Sequence, residues 1–194
     1  GEVDVFMSGP VLLWQHVGAG HVASLDDHVA GASADWAVDD FFPALLDANR
    51  WSGRFGDPLG SGPLREIPVN CESYNLAYLP AALERAGVDV PTTWDAYFDA
   101  AATLVGAGGV RGWGQRGIDV WHTMYTGYAT QVWSCGGTDF DETGRSAIAS
   151  GACVDATRAF IDALRASGPS DWLHQRWYEL ALGFAAGEYG LLVD

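Results

Sequence analysis

The sequence predicts an α/β fold, in which short apolar strands alternate with amphipathic helices. Apolar runs typical of strands occur at Val3–Met7, Leu64–Val69 and Tyr189–Val193, with segments of helical spacing between them. Glycines follow two of the helical segments, at Gly87 and Gly187, where a left-handed residue commonly ends a helix. The chain has no internal repeat or low-complexity linker, so this alternation indicates packed layers of helices and sheet.

The first third of the chain carries a strand, a helix and a loop signal in turn. After the strand Val3–Met7, the segment Asp39–Asn49 is amphipathic with acidic residues in its first turn, which predicts a helix. Gly53–Gly62 contains four glycines and a proline, which predicts an exposed loop. The apolar run Leu64–Val69 then predicts a second strand.

The middle of the chain predicts an extended segment followed by two helices. The extended segment reaches Tyr78, and a short helix ends at Gly87. Pro91, Thr92 and Thr93 then come directly before a second helix, as capping residues do. That helix begins with the aromatic residues Trp94, Tyr97 and Phe98.

The second half predicts three more helices and a final strand. Aromatic and apolar residues at helical spacing indicate helices at Asp119–Trp133, Val154–Ala166 and Trp177–Ala186, and the strand Tyr189–Val193 follows. Large aromatic side chains are usually core residues, and we expect this of three of the nine tryptophans, Trp36, Trp94 and Trp133.

Composition indicates a globular protein and excludes several kinds of partner. Hydrophobic residues make up 48% of the chain, which is ample for a core, and the net charge is −15 with ten basic residues, all arginine. Phosphate backbones and anionic lipid surfaces repel such a charge, so neither nucleic acid nor an anionic membrane is expected as a partner.

The sequence gives little evidence for a motif of catalysis, metal binding or nucleotide-cofactor binding. The run Gly18–Ala23 fits a dinucleotide fingerprint, but it follows a helical stretch where the motif requires a strand. Cys71, Cys135 and Cys153 lack metal-ligand spacing; reduced thiols are expected, with a Cys135–Cys153 disulfide as the alternative. We therefore expect no cofactor and no metal.

The run from Glu66 to Leu104 resembles the signature stretch of ABC-transporter solute-binding proteins of the maltose/multiple-sugar type. The resemblance rests on the extended segment ending in Tyr78, the helix AALERAG and the segment VPTTWDAYFDAAATL. Further matches follow the same order along the chain: Gly1–Met7, Val11–Val29, the strand Val110–Gly117, the turn Trp133–Phe140 and the closing block Phe184–Asp194. The resemblance therefore covers nearly the whole sequence.

This resemblance implies a two-lobe periplasmic-binding-protein fold of type II, incomplete at both ends. It places part of the first lobe in residues 1–72, a hinge crossing segment in 73–79 and most of the second lobe in 80–194. It also implies a periplasmic or extracellular protein, anchored as a lipoprotein in its full-length form. Such a protein is a monomer that delivers its ligand to the permease subunits of an ABC importer.

Ligand-binding residues are expected on the crossing segment and at the ends of strands. By resemblance, Glu72 faces the ligand cleft, where its carboxylate accepts hydrogen bonds from two neighbouring hydroxyls; a structural bond to backbone amides or an arginine is the alternative. Asn70 and Ser73 are secondary candidates on the same segment.

Two tryptophans and three polar residues complete the predicted site. Trp121 follows the end of a predicted strand, where open α/β sheets bind ligands, and Trp14 follows the first strand. Arg116 is expected to donate to hydroxyls, or alternatively to form a salt bridge. Asp194 is a candidate acceptor, and His122, next to Trp121, is a weaker candidate.

Two classes of function follow. The first is a receptor without catalytic activity, which binds a sugar, oligosaccharide or polyol between two lobes. The second is a carbohydrate-active hydrolase or transferase on a related α/β scaffold, since fold alone does not decide function. No pair of carboxylates with the spacing of a catalytic site is evident among the 25 acidic residues, so the receptor is the favoured hypothesis.

Overall fold

The computed structural model describes residues 3–33, 35–120, 123 and 125–194. The chain divides into two compact units, Gly1–Glu72 and Ser73–Asp194. Trp121 and His122 lie outside the described residues, so the ligand-binding roles predicted for these two side chains stay predictions.

The first unit consists of short helices joined by loops. Asp26 holds three of its segments together, because its Oδ1 accepts hydrogen bonds from the Leu64 backbone N–H and from the Arg50 guanidinium, both at 3.3 Å. Desolvation opposes the effect, but bonds from Leu64, Ser24 and Arg50 together lower the pKa of Asp26. The helices of this unit are α1 (Pro10–Gly18), α2 (Asp26–Ala30) and α3 (Pro43–Ala48), with a 3-10 turn at Val38–Asp40.

The two strands predicted for the first unit are wrong. Val3–Met7 and Leu64–Val69 form no strand in the described structure, and only Leu64 makes an isolated bridge, to Arg50. An apolar run becomes a strand only where another strand pairs with it, and Leu64–Val69 finds a partner at one residue. The predicted helix Asp39–Asn49 is interrupted, because Pro43 lacks an N–H and begins α3.

A three-stranded sheet organises the second unit. Its strands are ordered β1-β3-β2, so the last strand of the chain is central. β3 pairs antiparallel with β1, with Leu76 opposite Val193, and parallel with β2, with Trp113 opposite Leu191. The strands are β1 (Leu76–Tyr78), β2 (Arg111–Gly114) and β3 (Tyr189–Val193). The predicted extended segment ending at Tyr78 and the predicted final strand are thereby confirmed.

The described part of the second unit also contains five α-helices, and most of them match the predicted pattern. The predicted caps are confirmed, since Thr93 Oγ1 accepts from the Ala96 N–H at 3.2 Å and Gly87 ends its helix with a φ of 66°. The helices are α4 (Pro80–Ala86), α5 (Trp94–Ala107), α6 (Thr130–Ser134), α7 (Gly151–Ser167) and α8 (Trp177–Ala185).

The predicted helix Asp119–Trp133 is confirmed only in its second part. Asp119 and Val120 are not helical, whereas Tyr125–Ala129 forms a turn of π-helix that the short α6 follows. Gly127, within the π turn, has a φ of 76°, far from the regular right-handed helical value. A Cβ at Gly127 would also collide with Gln115 Oε1, so the chain turns closely against the end of β2 at this glycine.

The core of the second unit contains aromatic rings that pack edge-to-face. Trp113 of β2 is almost fully buried and packs edge-to-face on Phe160 of α7 and Tyr97 of α5, with ring centroids 5.5 and 5.6 Å apart. Trp94 is half-buried against this core, as predicted, whereas Trp36 and Trp133 are exposed, so their core assignment is wrong. The general preference of large aromatic side chains for the core therefore holds for one of these three tryptophans.

The three cysteines are free thiols. Cys153 is buried and its Sγ donates to the Thr138 carbonyl at 3.5 Å, whereas Cys71 and Cys135 are exposed. The Cys135–Cys153 disulfide that the sequence left open is therefore not formed.

Candidate functional site

The carboxyl edge of the sheet in the second unit is the candidate site. β2 and β3 are parallel and end at this edge, and the antiparallel β1 begins there. Arg116 follows β2 by two residues, Asp194 follows β3 directly and Asn75 precedes β1. Ligands of open α/β sheets bind at such carboxyl ends, so strand topology places these three polar residues where a ligand is expected.

Arg116 and Asp194 form an ion pair at this edge. The guanidinium Nη2 contacts the Asp194 Oδ1, and the two side chains are only 16% and 20% exposed. The Arg116 Nε is buried and has no hydrogen-bond partner among the described residues. The sequence predicted both residues as ligand contacts and left a salt bridge open for Arg116; the structure brings the two together.

Backbone and side-chain bonds fix the surroundings of this pair. The Asp194 and Asn75 backbones exchange hydrogen bonds of 3.1 and 3.3 Å, which extends the β1–β3 ladder by one residue. The Asn75 amide donates to the Ser73 carbonyl at 2.8 Å and to the Ser73 Oγ at 3.1 Å. Gln115, which is buried, donates to the Arg116 carbonyl at 2.8 Å. The backbone on both sides of the ion pair is therefore held in place.

Sequence reasoning missed Asn75 and Gln115. Both are polar residues directly outside a strand, but the strand ends are not visible in the sequence, because β1 has three residues and β2 has four. A search for polar side chains flanking apolar runs would have selected both, together with many others.

The remaining predicted residues lie in the first unit. Glu72 and Asn70 are exposed on the segment that closes this unit. Trp14, on α1, is 46% exposed, and its ring meets Phe55 edge-to-face with centroids 5.7 Å apart. All three side chains are accessible, as residues that contact a ligand must be.

A cleft of about 510 Å³ opens beside α5 and α6 in the second unit. It presents the aromatic rings of Tyr74 and Trp94, the carboxylate of Asp95 and the hydroxyls of Thr130 and Ser134. Arg116 and Asp194 do not line it, so the cleft and the ion pair are separate features. Trp94 was predicted as a core residue, and the structure gives it a second surface facing this cleft.

Tyr97 also lines this cleft and is itself buried. Its hydroxyl has no hydrogen-bond partner among the described residues, and burial raises the pKa of the Tyr97 phenol well above its ordinary value. Tyr97 is therefore neutral at physiological pH.

Aromatic faces, hydroxyls and a paired charge suit polyhydroxylated ligands. The C–H faces of sugars pack on aromatic rings, and hydroxyl groups bond to planar donors and acceptors such as guanidinium and carboxylate. Among the described residues, no group of three or more His, Cys, Asp or Glu side chains is arranged to hold a metal.

One curated relative matches most of the chain. Over 180 residues the chain is 29% identical to a protein of Mycolicibacterium smegmatis named erythritol/L-threitol-binding protein. The aligned region covers 89% of this chain but 38% of that protein, so the chain spans less than half the length of this curated relative.

Solved structures share the fold. A ribitol complex of an ABC-transporter solute-binding protein from Agrobacterium radiobacter matches with a TM-score of 0.80 at 19% identity, over 96% of this chain and 45% of that one. A D-mannitol complex of another such protein, from Agrobacterium vitis, matches with a TM-score of 0.75 at 22% identity, over 96% and 43%. The α/β solute-binding-protein fold predicted from the sequence is thereby confirmed.

The family comparison covers the whole chain. Residues 1–194 match the family described as bacterial extracellular solute-binding protein. Within the part of the chain that the structure describes, no helix combines the length and apolarity needed to cross a bilayer. Because this match spans residues 1–194, the chain belongs to the bacterial extracellular solute-binding protein family.

Proposed function

We propose that this chain serves as the substrate-binding component of an ABC importer and binds a small polyol or sugar. The observation that carries the proposal is its 29% identity to an erythritol/L-threitol-binding protein over 89% of the chain. Structural neighbours crystallised with ribitol and D-mannitol support the same ligand class. A short polyol is preferred to an oligosaccharide because the name of the curated relative describes four-carbon linear polyols.

The carboxyl edge of the second unit is the proposed ligand surface. Arg116 offers N–H donors and Asp194 offers acceptor oxygens, and both side chains keep some exposure. A linear polyol carries a donor and an acceptor on every carbon, so adjacent hydroxyls match such a pair. Glu72, Asn70, Ser73, Trp14 and Trp121 remain proposed contacts on the grounds given by the sequence.

Binding without chemical change is proposed in preference to catalysis. Glycoside hydrolysis needs two carboxyl groups at a defined separation, one of them protonated. At the carboxyl edge Asp194 is paired with Arg116, an arrangement that offers hydroxyl groups an acceptor beside N–H donors.

Domain roles, partners and location follow from family membership. Residues 1–72 are proposed as part of one lobe, 73–79 as the hinge segment and 80–194 as most of the second lobe. The division between Glu72 and Ser73 supports the first boundary. We propose further a monomeric lipoprotein, periplasmic or extracellular, that passes its ligand to a membrane permease.

Calorimetry on the product of the intact gene tests the function. Erythritol, L-threitol, ribitol, D-mannitol and maltose are titrated separately, and each mixture is then inspected by NMR for altered carbohydrate. Saturable binding of at least one polyol, with the ligand recovered unchanged, is the expected result. Absence of binding to all five, or formation of a product, would contradict the proposal.

A further inference from the structure

The Arg116–Asp194 pair concentrates two opposite charges where the proposed ligand is held. Both side chains are at least four-fifths removed from solvent, so solvent screens them weakly and each neutralises the other. The net charge of the pair itself is therefore close to zero, although the whole chain carries −15.

Removing either partner would leave a poorly solvated charge facing the ligand. An uncompensated charge of this kind is costly, and a ligand of opposite charge relieves that cost. A ligand of the same charge meets repulsion in addition to its own desolvation. In the intact pair neither charge is uncompensated, so an anion or a cation gains no affinity by neutralising one. Neutral hydroxyls can form hydrogen bonds with both members of the pair.

On this basis, and resting on the proposed function, we propose that the Arg116–Asp194 pair selects neutral polyols against their charged analogues. The discriminated compounds are aldonates, in which a terminal carbon is a carboxylate, and amino polyols, in which it bears an ammonium group. Both have nearly the size and shape of the neutral polyol. Charge balance therefore sets this selectivity independently of the size of the site.

The test compares ligands that differ only in charge. Erythritol, erythronate and 1-amino-1-deoxyerythritol are titrated by calorimetry into the product of the intact gene, and the ribitol, ribonate and 1-amino-1-deoxyribitol series is measured in parallel. Asp194→Asn should raise the affinity for the aldonate relative to the neutral polyol by about tenfold or more. Arg116→Gln should raise the relative affinity for the amino polyol by a similar factor.

Two controls separate charge balance from a structural effect. The double variant Arg116→Gln with Asp194→Asn removes both charges and should return the preference to the neutral polyol. Arg111 and Asp171 form an ion pair of 2.7 Å at the opposite end of β2, so Asp171→Asn should leave the order of affinities unchanged. Melting temperatures identify any variant that fails to fold, and the double variant keeps the comparison informative if one single variant is lost.

The outcomes distinguish this inference from the function on which it rests. If the wild-type protein binds none of the five neutral compounds titrated for the proposed function, that function fails and the inference falls with it; if it binds only another of the five, the charged analogues of that compound replace the erythritol series. If the wild type binds a neutral polyol but folded single variants keep the wild-type order of affinities, the selectivity inference alone is overturned. Opposite shifts in the two single variants, restored in the double variant, support it.

Discussion

Glu72 is the last residue of the first unit, and its side chain is exposed. An exposed carboxylate contributes little to stability, so its removal separates a binding role from a folding role. Arg116 and Asp194 differ in this respect, because each is largely buried and holds the other. Substitution of Glu72 should therefore change ligand binding without changing stability, whereas substitution of Arg116 or Asp194 can change both.

Glu72→Gln should weaken polyol binding by about tenfold to a hundredfold, the loss expected for a charge-assisted hydrogen bond. Its melting temperature should stay at the wild-type value. Calorimetry and thermal denaturation of the same sample provide the measurement. Glu142→Gln, an exposed glutamate on another loop, is the matched control and should change neither quantity. Wild-type affinity in Glu72→Gln would remove Glu72 from the site.

Tyr97 and Tyr128 provide a paired test of buried hydroxyls. Tyr97→Phe should leave the free energy of unfolding unchanged or raise it by up to about 1 kcal/mol, because the buried hydroxyl has no described partner. Tyr128 shares a 2.9 Å hydrogen bond with Thr157, so Tyr128→Phe should lower that free energy by about 0.5–1.5 kcal/mol. Urea denaturation measures the free energy of unfolding of both variants. An equal loss of this free energy in Tyr97→Phe and Tyr128→Phe would contradict the prediction.

Burial of Tyr97 should also make the stability of the protein depend on pH in alkaline solution. In the unfolded chain Tyr97 ionises near pH 10, whereas burial raises the pKa of the folded Tyr97 phenol well above that value. The unfolded state then binds fewer protons, so stability should fall as pH rises above about 10. Tyr97→Phe should reduce this fall, as measured by urea denaturation at pH 9 and pH 11. An identical fall in the variant would assign the alkaline loss to other groups.

Among the elements, α5 shows most clearly how a short motif specifies local structure. The order Pro91, two threonines and Trp94 predicts a helix start, and the Thr93 hydroxyl accepts the Ala96 N–H that the helix leaves unpaired. The signal is local, so a sequence pattern suffices to find it. α7 and α8 were found in the same way, from spacing and flanking glycines.

Thr93→Ala should lower the free energy of unfolding by about 0.5–2 kcal/mol, the usual cost of losing a capping hydroxyl. Thr92→Ala is the matched control, since it removes the same group one residue earlier without removing the cap, and a change below about 0.5 kcal/mol is expected. Circular dichroism during urea denaturation measures both variants. Equal losses would show that the hydroxyl bond to Ala96 is not what stabilises the start of α5.

Strands were harder to predict than helices because pairing is not local. Leu64–Val69 has the composition of a strand but meets a partner at Leu64 alone, whereas β1 is paired with a segment more than a hundred residues later. Gly127 caused the other failure, since aromatic spacing on both sides suggested a continuous helix that its positive φ interrupts. The ion pair at the site also depends on long-range pairing, which is why its two residues were found separately and not as a pair.

At the scale of the whole molecule, thiol accessibility reports on folding without any introduced probe. Cys71 and Cys135 are exposed, whereas Cys153 is buried in the first turn of α7 and its thiol donates to the Thr138 carbonyl. Brief maleimide treatment of the native protein should therefore label Cys71 and Cys135 rapidly, and Cys153 only after urea is added. Mass spectrometry of peptides identifies the labelled sites. Rapid native labelling of Cys153 would show that the packing around α7 opens readily.

The net charge of −15 acts on the whole molecule as well. It disfavours phosphate-rich partners, and the expectation that nucleic acid is not a partner stays a prediction.

The central position of β3 has a consequence for how the protein is made. β1 and β2 both depend on β3 for their hydrogen bonds, yet β3 begins only at Tyr189, long after β2 ends at Gly114. At typical rates of synthesis, the interval between β2 and β3 lasts about 4–15 s. During this interval the nascent chain carries two strands without their partner, and its sheet can close only when β3 emerges. Timing of synthesis, as well as sequence, therefore governs when this unit acquires its native sheet.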